Sequence, residues 1–176
     1  MRIRPANLVD IESCQRLDGS YTTDYVWRME ERVGDDTASV TFRRVHIPRQ
    51  ITVAYPRSLD TLPDDWQRRE CFLVADDLGR IIGFLDMLVH RWRWRAQVEH
   101  LVVDRAYRGR GVASHLLRAA ERWARGSQMQ SIEAILQNKN DPAIRILQQR
   151  GYRFQGFLDD YFENGDIGMV FRLYLL

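Results

Sequence analysis

Residues Val98–Ala124 read VEHLVVDRAYRGRGVASHLLRAAERWA. The opening run is apolar and strand-forming. The closing run is a helix that sets Val112, Leu116, Leu117, Ala120 and Trp123 along one stripe, with Arg118, Glu121, Arg122 and Arg125 outside it. Between them, Arg108-Gly109-Arg110-Gly111-Val112-Ala113 packs two glycines and two arginines into a strand-to-helix junction. Glycine lets a backbone come close to a bulky anion, and the first turn of a helix offers N–H groups with no partner of their own. The stretch therefore marks an anion site.

Upstream, Cys71–Ala75, the turn Asp77-Leu78-Gly79-Arg80, Ile81–Val89 and Gln97–Val103 give three strands joined by short connections, the pattern of an antiparallel meander. Downstream, Ser131–Leu136 is a strand reached through a helix and so is expected parallel to its predecessor. Asn138-Lys139-Asn140-Asp141-Pro142 opens a further helix that runs to Gly151. Tyr152–Tyr161 and Ile167–Leu175 then form a hairpin about Asn164-Gly165-Asp166.

At the N-terminal end, Met1–Arg4 reads as a short strand stopped by Pro5, and Asn7 or Asp10 caps a helix carrying Leu8, Ile11 and Leu17. Tyr21, Tyr25, Val26 and Met29 fall at helical spacing and predict a second helix over Tyr21–Arg32, closed by Gly34-Asp35-Asp36. Ala38–Tyr55 reads as two extended segments parted at Pro48. Arg57–Arg69 is a surface connection with one helical turn before Trp66. The sum is an α/β domain with a mixed, partly antiparallel sheet.

The totals bound what this domain does. With 176 residues the chain suits a single domain spanning 1–176, and 45% hydrophobic and 28% charged residues are ordinary for a folded water-soluble protein. The net charge is only +2, so anion recognition is expected to be local, and neither nucleic acid nor membrane is an expected partner. Cys14 and Cys71 stand in no metal-ligand spacing, so no metal is expected. No stretch approaches the roughly 18 apolar residues of a membrane span, and the opening MRIRPANLVDIESC lacks an apolar leader, which points to the cytoplasm.

The glycine turn is not a P-loop, because no Gly-Lys-Ser/Thr follows it. It is a poor dinucleotide fingerprint, because Ser114 stands where a third glycine belongs and the next strand ends in Leu136-Gln137-Asn138 without an acidic residue. Instead, Arg108-Gly109-Arg110-Gly111-Val112-Ala113 fits a Gln/Arg-x-x-Gly-x-Gly/Ala pattern at every position. Val103-Asp104 precedes it, an Asn-x-x-Ala start follows at Asn140–Ala143, and Gly151-Tyr152 closes the next helix. In these features the chain resembles the GCN5-related N-acetyltransferase (GNAT) superfamily over about residues 70 to 176.

The resemblance implies a mostly antiparallel sheet flanked by helices, whose fourth strand splays from the fifth. It implies acetyl-CoA as co-substrate, with the pyrophosphate on the backbone of Arg108, Gly109, Arg110, Gly111, Val112 and Ala113. The pantetheine arm would lie along Leu101, Val102 and Val103 and reach Asn140. The acceptor is then a small-molecule or peptide amine, and a homodimer is an open assembly.

Transfer to an amine needs a base, an activated thioester carbonyl and a proton for the leaving thiolate. Alternation places Glu99 on one face with Leu101 and Val103 and makes it the candidate base, with a strand carboxylate paired to an arginine as the bland alternative. His100 falls on the opposite face. Family members carry a tyrosine four residues before the Gly-Phe/Tyr, where this chain has Leu147-Gln-Gln-Arg-Gly151. The acid is therefore Tyr152 or Tyr161, or water, or the thiolate leaves unaided; a coenzyme A-binding or sensing domain with little turnover is the rival reading.

In Arg91-Trp92-Arg93-Trp94-Arg95, period-two alternation sets the arginines on one hairpin face and the tryptophans, packed, on the other. The spacing of Trp92, Ala96 and Glu99, with Gln137 and Asn140, is similar to that in streptothricin acetyltransferase-like proteins. The acceptor pocket is expected between the first two helices and the final hairpin, near Tyr21, Tyr25, Trp27, Asp159, Asp160 and Tyr161.

Overall fold

The computed structural model describes residues 1–175. Seven strands lie side by side in the order β1 (Arg2–Pro5), β4 (Cys71–Asp77), β5 (Arg80–His90), β6 (Arg95–Val103), β7 (Ser131–Gln137), β9 (Gly168–Tyr174) and β8 (Arg153–Leu158). Every neighbouring pair is antiparallel except β6 and β7, which the intervening helix makes parallel. This is the mixed, mostly antiparallel sheet that the motifs implied.

Helices cover both faces. On one, α3 (Val112–Gly126) buries Val112, Leu116, Leu117, Ala120 and Ala124 and α4 (Asp141–Gln149) buries Ile144 and Leu147, all in one cluster with Leu73, Leu85, Val98 and Phe171. On the other, α1 (Ile11–Gln15) and the short α2 (Leu62–Asp65) bury Ile11, Cys14 and Leu62 against Phe72, Val74, Phe84 and Val102. Glu121, expected outside the apolar stripe of α3, is buried. Its carboxylate accepts from Arg150 Nε at 2.8 Å, so the ion pair ties α3 to the end of α4.

The predicted second helix does not form. Tyr21–Val33 is a strand, β2, paired antiparallel with β3 (Ala38–Val53) in a separate two-stranded sheet. A spacing of four is even, so Tyr21, Tyr25 and Met29 match one face of a strand as well as a helix, and the Thr, Tyr, Val and Trp between them favour the strand. Pro48 does not divide β3 in two. It stands in the interruption between the pairs Tyr25↔His46 and Thr23↔Ile51, where its missing N–H costs no ladder bond.

A two-stranded ribbon needs support from the rest of the fold. Trp27 N donates to Asn138 O at 2.8 Å, Arg44 grips Asp141 through Nε and Nη2 at 2.7 and 2.8 Å, and Phe42 packs on Phe154 and Phe157. The ribbon thus lies against the start of α4 and the final hairpin. That hairpin forms as read, although its connection runs from Asp159 to Ile167.

The tryptophans of Arg91–Arg95 do not pack. Arg91–Arg93 closes into a single 3-10 turn with Trp94 in the left-handed region, leaving Trp92 75% and Trp94 48% exposed. The turn breaks the alternation on which the packed reading rested.

The close approach of β5 and β6 gives a test. A Cβ on Gly83 would lie 2.9 Å from the Val102 carbonyl oxygen, a backbone atom in the sheet interior. Gly83→Ala is expected to destabilise the fold by about 1–3 kcal/mol in urea unfolding; a variant as stable as the parent contradicts this packing.

Candidate active site

The parallel ladder between β6 and β7 is short. Pairing runs from Arg95↔Ser131 to Val98↔Ala134 and stops there, while β6 stays paired with β5 as far as Val103. Beyond Val98 the two strands part, and the β6 edge facing β7 has no ladder partner there.

The same point carries a bulge. Asp86 pairs with His100 and Met87 with Val98, so Glu99 is the extra residue on β6. The bulge shifts the phase of the strand. Val98, Leu101 and Val103 join the α3 side, whereas Val102 joins the α1 side and His100 packs there beside Phe84. Simple alternation put Glu99 with Leu101 and Val103 and set His100 opposite; in the structure Glu99 stands at the boundary, lining one cavity with Leu101 and Val103 and a second with His100.

Two cavities meet at this break. The first, about 480 Å³, runs from the glycine turn through the splay. Arg108, Gly109, Gly111, Val112 and Ala113 form its outer end, Leu101, Val102 and Val103 its β6 wall, and Asn140 and Leu147 its α4 wall. Gly109 and Gly111 have φ of 74° and 80°, a left-handed conformation that glycine adopts freely. The first intrahelical bond of α3 is His115 N to Gly111 O, so the N–H groups of Val112, Ala113 and Ser114 stay available at the cavity mouth. The Asn140 side chain caps α4, accepting from Ala143 N at 3.2 Å.

The arginines of the turn differ. Arg108 turns back, donating through Nε to Val103 O at 2.9 Å and through its terminal nitrogens to the carbonyls of Asp18 and Ser20. It fastens the turn to β6 and to the N-terminal segment. Arg110 is exposed over the Tyr107 ring and does not line the cavity.

The second cavity, about 460 Å³, lies behind Glu99 and is bounded by Arg57, Asp65, Arg69, His100, Tyr161 and Glu163. Glu99 Oε2 accepts from Arg57 Nη1 at 2.6 Å and Oε1 from Gln97 Nε2 at 2.8 Å. Arg57 Nη2 also donates to the Tyr161 hydroxyl at 3.3 Å, so Glu99 and Tyr161 meet around one guanidinium. Tyr152 is elsewhere. It is 3% exposed, lines neither cavity, and its hydroxyl has no hydrogen-bond partner among the described residues.

Of the residues expected around the acceptor, Tyr21 lines the first cavity and Tyr161 the second. Tyr25 and Trp27 belong to the ribbon, and Trp27 Nε1 donates to Asp141. Asp159 and Asp160 lie outside both cavities. Sequence reading missed Tyr55, Arg57, Asp65 and Arg69. They sit on the connection between β3 and β4, where the only α-helix is the short α2, ending at Asp65, and too little periodicity exists to report which way a side chain faces. Burial shapes the polar groups here. It lowers His100 to about 4, aided by Arg57 and Arg69, and it raises Asp86 to about 7 against the opposing pull of Arg69.

The family model described as acetyltransferase (GNAT) family matches residues 40–152, well over half of the chain. The chain belongs to the GNAT acetyltransferase family. It is 27% identical over 158 residues to a streptothricin acetyltransferase of Streptomyces lavendulae, covering 87% of this chain and 82% of that one. A nourseothricin acetyltransferase structure superposes with a TM-score of 0.84 at 26% identity, covering 99% of this chain and 98% of that one. A Bacillus anthracis protein assigned as a streptothricin acetyltransferase, solved in complex with acetyl coenzyme A, has the same fold, with a TM-score of 0.78 at 21% identity and 98% of each chain covered. This GNAT protein is an acetyltransferase, similar to streptothricin acetyltransferases. No helix among the described residues is long and apolar enough to cross a membrane.

The depressed His100 gives a stability signature. The unfolded chain takes up a proton near the ordinary histidine value while the folded one resists until about pH 4, so this contribution is lost as pH falls from about 6.5 toward 4. At about 1.4 kcal/mol per unit, the loss by pH 4.5 is about 2–3 kcal/mol. Urea unfolding at pH 7 and 4.5 should show His100→Gln losing less stability over this interval than the parent by that amount; equal losses contradict it.

Proposed function

We propose that this acetyltransferase moves the acetyl group of acetyl-CoA directly to a primary amine of a small cationic molecule, with both substrates bound together. The observation that carries the reading is that the two cavities adjoin at the break between β6 and β7, sharing Arg57 and Glu99. A donor in one and an acceptor in the other would meet at the strand edge left free beyond Val98.

The pyrophosphate would sit on the orphan N–H groups at the start of α3, where the helix dipole favours negative charge. The pantetheine arm would extend through the apolar channel along Leu101, Val102 and Val103 past Asn140. A β6 amide on the edge that β7 leaves unpaired would hydrogen-bond the thioester carbonyl and stabilise the oxyanion that develops on it. Asp65, Glu99 and Glu163 on the second cavity attract a cationic amine, in keeping with the similarity to streptothricin acetyltransferases.

In this reading Glu99 takes the proton from the acceptor ammonium, directly or through water, and Tyr161 orients the acceptor beside it. Arg57 holds the Glu99 carboxylate through Nη1 at 2.6 Å and must give up part of that contact to the incoming ammonium. A covalent acetyl-cysteine route has no support in the fold. Cys14 and Cys71 are buried, and desolvation pushes both thiols up to about 12.

The test is coenzyme A thiol release from acetyl-CoA with streptothricin, aminoglycosides and amino-terminal peptides as acceptors. Turnover is expected with the cationic small molecules. Glu99→Gln should leave acetyl-CoA affinity within about twofold and lower kcat about 100-fold, whereas Gly111→Trp should abolish acetyl-CoA binding. An undiminished kcat in Glu99→Gln removes Glu99 from the mechanism, and acetyl-CoA binding by Gly111→Trp removes the glycine turn from the donor site.

A further inference from the structure

The place that holds a tyrosine in other members of the family is Leu147 here, a fully apolar wall of the first cavity. The proton for the departing thiolate must therefore come from another group. Among the described residues, the tyrosines that line this cavity are Tyr21, Tyr55 and Tyr107. The Tyr21 hydroxyl is committed, donating to Gln137 Oε1 at 2.9 Å, and the Gln137 amide donates in turn to Asp166 Oδ2 at 2.8 Å. Tyr107 stands at the outer end, between the guanidinium groups of Arg80 and Arg110. Tyr161 borders only the acceptor cavity.

Tyr55 differs from all of these. Its hydroxyl is 3.0 Å from His100 Nδ1, and the backbone amide of Leu101 faces the same oxygen. Both residues directly follow the Glu99 bulge, so the hydroxyl lies where β6 leaves β7 and where the thioester would be held. The ring is also fixed in place. A Cβ on Gly19 would come within 2.6–2.9 Å of three Tyr55 side-chain atoms, so the absence of a side chain at Gly19 is what lets Tyr55 approach that backbone so closely.

We propose that Tyr55 is the proton donor to the departing thiolate, and that His100 is its positioning residue. This rests on the direct-transfer reading above. With its proton on Nδ1, neutral His100 donates to the Tyr55 oxygen and leaves the phenolic hydrogen free to point into the donor cavity. The acceptor nitrogen attacks the thioester carbon, the C–S bond breaks with its electron pair on sulfur, and the Tyr55 proton passes to that sulfur. The phenolate is made neutral again by the second proton that the nitrogen sheds once it is bonded to the acyl carbon, carried by water in the adjoining cavity. The first ammonium proton, taken by Glu99, is the one released to solvent. Burial supports both states, holding the phenol protonated and the imidazole neutral near pH 7.

The experiment is single-turnover acetyl transfer by the whole protein, in H2O and D2O, for the parent, Tyr55→Phe and Tyr161→Phe, with acetyl-CoA affinity measured by calorimetry. Tyr55→Phe should lose about 100-fold in rate, keep its acetyl-CoA dissociation constant within about twofold, and lose the normal solvent isotope effect of the parent. Tyr161→Phe should weaken acceptor binding and keep the isotope effect. A Tyr55→Phe protein as fast as the parent, or slower with an unchanged isotope effect, overturns the assignment. If Tyr161→Phe is the variant that loses the isotope effect, the acid is Tyr161 and the proposal fails. A parent that binds acetyl-CoA and turns over no amine instead overturns the transferase reading on which the proposal stands.

Discussion

β6 keeps its ladder with β5 but loses the one with β7 beyond Val98, and the site follows from that. Its antiparallel pairing with β5 continues to Val103, whereas the parallel pairing with β7 ends after Val98↔Ala134. A strand edge without its ladder must find other partners or carry unpaired polar groups in the interior, at a cost of about 1–3 kcal/mol for each buried group. An open wedge between two strands is therefore a binding site in waiting for an extended, amide-bearing chain such as pantetheine.

The wedge stays open because its sides are held independently. On the α3 side, Leu116, Leu117, Ile144 and Leu147 form a dense apolar wall, and the buried Glu121–Arg150 pair joins the two helices. On the β7 side, fully buried Gln137 accepts from Tyr21 and donates to Asp166, whose carboxylate also pairs with Lys139 and accepts from Asn164. The Asp166 carbonyl in turn accepts from Tyr161 N and Phe162 N, so the same residue fixes the loop that brings Tyr161 to Arg57. Across the opening, Arg108 spans from Val103 to the carbonyls of Asp18 and Ser20. These contacts explain why the glycine turn lies beside the splay and not merely above α3.

The legible parts of this arrangement were those encoded by neighbours in sequence. The meander, the parallel crossover, the glycine turn and the final hairpin each depend on local chemistry at Asp77–Arg80, Arg108–Ala113 and Asn164–Asp166, and each formed. Tyr21–Val33 was misread because an even spacing serves both a helix and a strand, and only the partner β3 decides between them. That Glu99 borders two cavities was not legible, because one inserted residue reverses the phase of everything after it, and a bulge has no marker in EHLVV. Arg57 and Tyr55 reach the site from an irregular connection, and their role arises from contacts 42 and 45 positions away in sequence. Trp92 and Trp94 were given a packing role by alternation that a 3-10 turn then removed.

The bulge also gives the site its division of labour. By turning Leu101 toward α3 while His100 packs beside Phe84, it sets an apolar cavity along Leu101 and Val103 next to a charged one at His100, with Glu99 bordering both. The most direct test of this arrangement is a crystal structure of the protein with coenzyme A. The account predicts the pantetheine arm lying between β6 and β7, hydrogen-bonded along the β6 edge, with its sulfur beside the Leu101 amide and the Tyr55 hydroxyl. Coenzyme A bound with its sulfur outside the wedge, or with β6 and β7 zipped together beyond Val98, would contradict it.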